Sequence, residues 1–229
     1  MEEKGIHIAI IPDGNRRWAE KRGKPRWWGH IHGAKKLEDL SAWCMDHPEI
    51  KTVSVYALST ENLGRDSTEL NKLWTIYKDE FGKLMKDKSI KKNQLRVNII
   101  GNTNAWRADV KQAAKDVMDT TKQYTNRVLN IMLAYGSKFE IIEAARTAFN
   151  KSVKTVPSVE KLFNQFLLVP EPVDLVIRTG GQRRLSNFLL WQAAYAELYF
   201  TDTLWPDLSR KEFEKILRWY IGQKKKFGL

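Results

Sequence analysis

Residues 178–200 place Arg178, Arg183 and Arg184 around the pair Gly180-Gly181, then Ser186, ahead of a nearly unbroken apolar run carrying one carboxylate, Glu197. Guanidinium groups are permanently charged planar forks that match phosphate oxygens two at a time. Glycines let backbone approach a ligand closely. A serine before an apolar run suits a helix N-cap, whose free N–H groups and dipole favour an anion. Residues 187–196 are accordingly predicted as a buried helix. Glu197 follows at its far end, a costly place for a lone charge and a sensible one for a cation ligand. Near the start of the chain, the apolar run 7–11 leads into Pro12-Asp13-Gly14-Asn15-Arg16-Arg17-Trp18-Ala19. That reads as strand, tight turn and helix start, the place where α/β folds hold phosphate. Together the two segments describe a diphosphate site with a divalent cation, with Asp13 at a strand's carboxyl end.

Elements must exist to carry these groups. Apolar, β-branched runs recur at 8–11, 53–58, 95–100, 129–133 and 175–177. They alternate with helical patterns at 33–45, 66–85, 105–123, 138–150, 159–166, 187–196 and 210–223. This alternation argues for one α/β domain over 1–229, with a mostly parallel central sheet of about six strands flanked by helices. Asp66 and Glu69 have the spacing of a capping box for the second long helix.

Composition narrows the partners. Lys+Arg 39 against Asp+Glu 27 gives a net charge of +12, which favours anionic ligands. Lys91-Lys92 and Lys224 to Lys226 read as solvated surface. A nucleic-acid-binding protein rests on charge and the 9 Trp alone, and no recognition signature accompanies them. The single cysteine, Cys44, falls on an apolar helical stripe and reads as a small core residue, consistent with a reducing cytoplasm. Met1 to Gly5 is too short and acidic for a signal peptide, and no stretch approaches the ~20 apolar residues of a spanning helix.

Longer patterns then become legible. Asp13 to Ala19 reads D-G-N-R-R-W-A, residues 56–65 read Y-A-L-S-T-E-N-L-G-R, and 178–197 read R-T-G-G-Q-R-R-L-S-N-F-L-L-W-Q-A-A-Y-A-E. In these the chain resembles the cis-prenyltransferase family, of the undecaprenyl diphosphate synthase type, over 10–33, 56–65, 96–103, 129–138 and 173–208. The resemblance implies Mg²⁺-dependent condensation of isopentenyl diphosphate with an allylic prenyl diphosphate. It also implies a hydrophobic tunnel walled by the helices at 33–45 and 66–85, although core packing alone explains their stripes equally well. It assigns Asp13 and Glu197 to the metal, and Gly14, Asn15, Arg16, Arg17, Trp18, Arg26 and His30 to the allylic diphosphate. Arg65, Arg178, Arg184 and Ser186 fall to isopentenyl diphosphate, and Ser59, Glu61 and Asn62 join Asp13 at the catalytic centre. Asn62 resembles the residue that positions isopentenyl diphosphate or handles the proton. His30-x-His32 is not taken as a metal motif. A homodimer is implied, with 186–200 and the C-terminal tail near the interface.

The chain departs from the family pattern at several points. Leu58 and Leu63 stand for Phe and Trp, Asp66 for Pro, Ala134 and Ser137 alter the turn around Tyr135, and Gln182 stands for Glu. Lys226-Phe227-Gly228 replaces an R-x-G-type ending. These changes predict an atypical substrate pair or product. The runner-up reading is a non-catalytic subunit of a heteromeric enzyme, although such subunits lose the Asp and arginines kept here. A trans-type synthase would need paired D-D-x-x-D motifs, and no Asp-Asp pair or Walker loop occurs.

Overall fold

The β-branched runs become β1 (Ile6–Ile11), β2 (Ile50–Ser59), β3 (Leu95–Ile100), β4 (Arg127–Tyr135) and β5 (Leu175–Arg178), and β6 (Glu197–Phe200) adds a sixth strand. The structure is a computed structural model that describes residues 5–149 and 156–223. The expectations for Lys224 to Lys226, for the 226–228 ending and for the C-terminal tail at an interface lie outside the described residues. All pairings are parallel, in the order β3-β4-β2-β1-β5-β6. Register brings Ile11 opposite Arg178 and Ser59 opposite Tyr135, so the carboxyl ends of β1, β2 and β5 gather at one edge.

The helices are α1 (Asn15–Glu20), α2 (Arg26–Met45), α3 (Ser67–Lys86), α4 (Lys88–Lys92), α5 (Ala108–Thr121), α6 (Ser137–Phe149), α7 (Val156–Phe166) and α8 (Arg210–Ile221). Alternate strand residues face two cores. Ile8, Ile10, Val55, Leu129 and Ile131 point to the side of α2, α3 and α5, while Ala9, Ile11, Tyr56, Met132 and Val176 pack on the other with Phe188 and Leu189. Each fully buried aliphatic contributes roughly 1.5–3 kcal/mol. Under the second face a polar ladder crosses four strands. His7 Nε2 lies 2.8 Å from Ser54 Oγ, and Asn130 Nδ2 donates to Ser54 Oγ at 3.0 Å. Asn98 Nδ2 donates to Asn130 Oδ1 at 2.9 Å, so these buried dipoles satisfy one another.

Two expectations about helices are corrected. The first long helix begins at Arg26, directly after Pro25, because the residue before a proline is held out of helical geometry. Residues 187–196 form a succession of turns instead of a helix. Ser186, Asn187 and Leu189 take φ of 50°, 64° and 44°, and this left-handed backbone cannot start a right-handed helix. Their polar groups go to the start of α6. The Asn187 carbonyl accepts from Ser137 N at 2.8 Å, Asn187 Oδ1 accepts from Lys138 N at 2.8 Å, and Ser137 Oγ accepts from Leu190 N at 2.9 Å. Tertiary hydrogen bonds thus override an apolar pattern that reads as helix.

Close approach of α2 to α1 needs a glycine. A Cβ on Gly29 would lie 1.9 Å from the Asn15 carbonyl oxygen, whereas one on Gly82 in α3 meets nothing within 4 Å. Gly29→Ala is expected to lower stability by about 1–3 kcal/mol, as overpacking does. Gly82→Ala is expected to leave it level or raise it by up to about 1 kcal/mol. Urea unfolding of the pair measures both, and an unchanged midpoint for Gly29→Ala would remove the contact from the account.

Candidate active site

The polar residues at the sheet's carboxyl edge form two linked clusters. In the first, Arg178 is 5% exposed and needs anionic or carbonyl partners. Its Nη2 donates to Asp13 Oδ2 at 2.9 Å, and its Nη1 donates to Ser186 Oγ at 2.6 Å and to the Arg184 carbonyl at 2.5 Å. Arg17 holds the other Asp13 oxygen at 3.0 Å and reaches the Gly180 carbonyl at 2.7 Å. Gly180 has φ of 82°, and a side chain there would strike both Arg17 and the Asp13 carbonyl. The Asp13 carbonyl is itself held by Thr179 Oγ1 at 2.8 Å and Trp205 N at 3.0 Å. Ser186 therefore serves Arg178, not a helix start. Arg184 leans on Gln182 Oε1 at 2.6 Å, a neutral partner that leaves its charge uncompensated.

The second cluster surrounds His30. Arg65 Nη2 donates to Asn62 Oδ1 at 2.9 Å, its Nη1 lies 3.4 Å from His30 Nε2, and Asn62 N donates to Ser59 Oγ at 3.2 Å. Glu69, 11% exposed at its side chain, sits between Arg65 at 3.3 Å and Arg16 at 3.5 Å, with His30 at 3.9 Å. Only half of the expected capping box forms. Asp66 Oδ1 accepts from Thr68 N and Glu69 N, while the Glu69 carboxylate turns to these cations. Glu69 was missed as a site residue, although its position four residues after Arg65 is the spacing of a helical ion pair. Thr179 and Asn187 were missed as well; Asn187 Nδ2 donates to Glu61 Oε1 at 3.0 Å. Burial alone would raise the Glu61 carboxyl, but hydrogen bonds from Asn187, its own backbone, Ser59 and Thr60 outweigh it and hold it low. Burial, then the charges of Arg65 and Arg16, hold His30 down to about 3, so it is neutral in the free protein.

A polar pocket of about 380 Å³ opens among these groups, lined by Arg16, Arg17, Arg26 and Arg65 against two carboxylates, Asp13 and Glu20. Gly14 and Asn15 form its floor at the start of α1. Behind it lies an apolar cavity of about 360 Å³ between the sheet, α2 and α3. The two share Pro12, Asn15 and His30. Asn15 Oδ1 is buried at this junction without a hydrogen-bond partner, as are Arg65 Nε in the polar pocket and Arg178 Nε beside Asp13. Such an arrangement suits a ligand with a multiply charged head and a hydrocarbon tail.

Two assigned residues stand apart. Trp18 is buried, donates from Nε1 to Asp207 Oδ1 at 2.6 Å and stacks on Trp28 with ring centroids 5.1 Å apart, lining neither pocket. His32 packs against the same two rings. Glu197 opens β6 opposite Leu175, three residues before the partner of Arg178. That is about 10 Å along the strand from the Arg178 level, and about another 10 Å, two strand spacings, across from β1. Asp13 and Glu197 of one chain therefore do not meet around one ion. No group of three or more potential metal ligands occurs among the described residues.

The family model described as "Prenyltransf: Putative undecaprenyl diphosphate synthase" matches residues 11–228. The chain belongs to this family. The Pyrococcus abyssi tritrans,polycis-undecaprenyl-diphosphate synthase (geranylgeranyl-diphosphate specific) is 40% identical, covering 97% of this chain and 86% of its own. The enzyme of the same name from Methanopyrus kandleri is 40% identical at 97% and 84% coverage. Among solved structures, lavandulyl diphosphate synthase from Lavandula x intermedia in complex with dimethylallyl diphosphate superposes with a TM-score of 0.90 at 29% identity, covering 100% of both chains. A probable undecaprenyl diphosphate synthase from Campylobacter jejuni gives 0.82 at 31%, again over the whole of both chains. The protein is thus a cis-prenyltransferase.

Within that family, the departures from pattern have structural duties. Leu58 is 2% exposed and pairs with Leu133, Asp66 caps α3, and Ser137 Oγ binds Leu190 N. Ala134 sits at φ 51°, a left-handed backbone that favours Asn or Gly over alanine. None of these, nor Leu63, lines either pocket.

The neutral state of His30 has a thermodynamic consequence. An unfolded histidine binds its proton near pH 6.5, whereas this one resists it down to about 3. Over that window the unfolded state holds more protons, so folding stability falls as pH falls, by at most about 1.4 kcal/mol per pH unit from this residue. His30→Gln is expected to flatten the stability curve between those pH values. Superimposable curves from urea unfolding would contradict the assignment.

Proposed function

We propose that the protein joins isopentenyl diphosphate to an allylic prenyl diphosphate, releasing pyrophosphate and extending a cis-prenyl chain. The junction of the arginine-rich pocket with the apolar cavity at Pro12, Asn15 and His30 supports this most directly. The names of the 40%-identical relatives favour geranylgeranyl diphosphate as the allylic partner.

The chemistry asks for three things. The allylic C–O bond must break with charge growing on diphosphate oxygen, the homoallylic double bond must lie near the electron-poor carbon, and one proton must leave. In this reading Arg16, Arg17 and Arg26 neutralise the leaving group, joined by Arg65, which shares their pocket in place of the isopentenyl diphosphate role that the resemblance gave it, and the first N–H groups of α1 add their dipoles. Neutral His30 donates a hydrogen bond without competing for the proton. Arg178, Arg184 and Ser186 hold isopentenyl diphosphate, while Arg65 and Ser59 fix Asn62, which orients its double bond and passes on the proton. The walls of the apolar cavity keep water from the carbocation-like carbon.

Mg²⁺ fits this site through Asp13. Both carboxylate oxygens already accept from arginines, yet a carboxylate keeps further lone pairs, and Mg²⁺ is commonly held by one or two carboxylates plus substrate phosphates and waters. When bound, the ion would neutralise charge on the departing diphosphate. The exposed Trp191, Tyr195 and Leu198, at 42%, 91% and 42%, make the 186–200 face the proposed homodimer surface. Light scattering that gives the monomer mass would reject that dimer. No described helix is long and apolar enough to cross a membrane. We place the enzyme in the cytoplasm, with its product drawing it to a membrane surface. A second reading, an unusual pairing of two substrates, draws on the likeness to lavandulyl diphosphate synthase; identifying the products from labelled isopentenyl diphosphate with a panel of allylic diphosphates decides between them.

The Asp13–Arg178 contact decides which Asp13 variant is informative. Alanine would strip a partner from buried Arg178 and disturb the fold, whereas Asp13→Asn keeps an acceptor there. Asp13→Asn is expected to remain folded and to lose kcat by roughly 10²–10³-fold. Arg184→Ala is expected to raise KM for isopentenyl diphosphate more than KM for the allylic substrate. Steady-state kinetics on both substrates checks this, and a rise confined to the allylic KM would reverse the two pockets.

A further inference from the structure

Away from its mouth, the wall of the apolar cavity carries carboxylates at two places. At the far end, Asp87 accepts from Ser89 N at 2.8 Å and Asn93 Nδ2 donates to the Ser89 carbonyl at 2.9 Å. These groups are tied to the backbone of α4, which makes that end fixed. On the flank, Glu38 of α2 and Glu80 of α3 both line the cavity, and Lys83 lies 2.6 Å from Glu80 and 3.9 Å from Glu38. Here the polar groups are tied only to one another, across the seam between two helices. Burial and then the neighbouring Glu80 charge hold the Glu38 carboxyl above its ordinary range, so two carboxylates meet and Lys83 offsets their repulsion.

Magnitudes decide what such a seam can do. Displacing a packed apolar side chain costs far more than parting an exposed ion pair, which is worth about two- to fivefold in an equilibrium constant. Side-chain exposures of 54% for Glu38 and 64% for Lys83 put this cluster in the second class. A cavity of about 360 Å³ is also near the lower bound for drug-sized ligands. The proposed reaction adds five carbons each cycle to a chain whose head is held by arginines. A growing tail reaches the fixed end and must then find the weakest wall.

We propose that the Glu38–Lys83–Glu80 cluster is a lateral gate in the prenyl cavity and that its strength sets how long a product the enzyme favours. The proposal rests on the prenyltransferase reading of the cavity given above. Lys83 does not line the cavity and lies outside the diphosphate pocket, so Lys83→Ala loosens the gate and leaves the first condensation at its original rate. The double variant Glu38→Leu with Glu80→Leu replaces the clasp by an apolar seal.

Two readouts test the gate, one independent of turnover. Short-tailed and long-tailed prenyl thiolodiphosphates, which do not react, are titrated against each variant, and full-length products are sized after elongation. Lys83→Ala is expected to favour the long tail over the short by about two- to fivefold, the size of one surface ion pair, and to lengthen products. The leucine pair is expected to shift both in the opposite direction. If both tails bind yet neither variant moves the ratio or the products, the gate is overturned while the cavity reading stands. If neither tail adds affinity over pyrophosphate in the unmodified protein, the cavity reading is overturned and the gate with it.

Discussion

A guanidinium as buried as that of Arg178 requires an anion beside it, and Arg178 finds one in Asp13. That requirement ties the end of β1 to the end of β5 and bends the chain at Gly180 so that Arg17 reaches the other carboxylate oxygen. It also fixes the Asp13 carbonyl through Thr179 and Trp205. A pair of this kind adds little to net stability, because desolvating two ions offsets their attraction. What it supplies is position: a carboxylate held on both oxygens at the edge of a parallel sheet, where α/β folds collect their ligands.

Around that pair the charges do not balance. Four arginines line the polar pocket against Asp13 and Glu20, with Glu69 behind Arg16 and Arg65, and Arg184 leans on a neutral glutamine. Such an excess is unfavourable until an anion arrives, and His30 avoids adding to it by staying neutral. Beyond Asn15 and His30 the adjoining cavity is walled by apolar residues such as Ala34, Leu37 and Leu73. Head and tail of the ligand are therefore recognised by opposite physics, Coulomb attraction on one side and removal of apolar surface from water on the other. Binding energy gained along the tail can hold the reacting carbon in place while the arginines act on the leaving group.

Much of this was readable from residue types and spacing. β-branched runs gave five strands, and the segments around Asp13 and Arg178 were expected to converge because both sit at strand ends. The failures share a cause. Residues 187–196 carry an apolar pattern that reads as helix, but Ser137 and Asn187 divert its backbone hydrogen bonds, and no local rule contains that contact. Glu197, expected at the end of a buried helix and paired with Asp13 by the family resemblance, instead opens β6, a position that the helical reading of 187–196 hid. Glu69 was hidden by an equally good local role as a cap, which Asp66 performs alone. Trp18 lies inside a signature yet supports α1 from behind, through Asp207 and Trp28.

The most direct measurement is a crystal structure of the protein with an unreactive allylic thiolodiphosphate and Mg²⁺. The account predicts the diphosphate within about 3 Å of the first α1 N–H groups and of Arg26 or Arg65. The tail should pass His30 and run between α2, α3 and the sheet. A diphosphate bound away from Asp13 and Arg65, or a tail lying on the protein surface with the cavity empty, would contradict it.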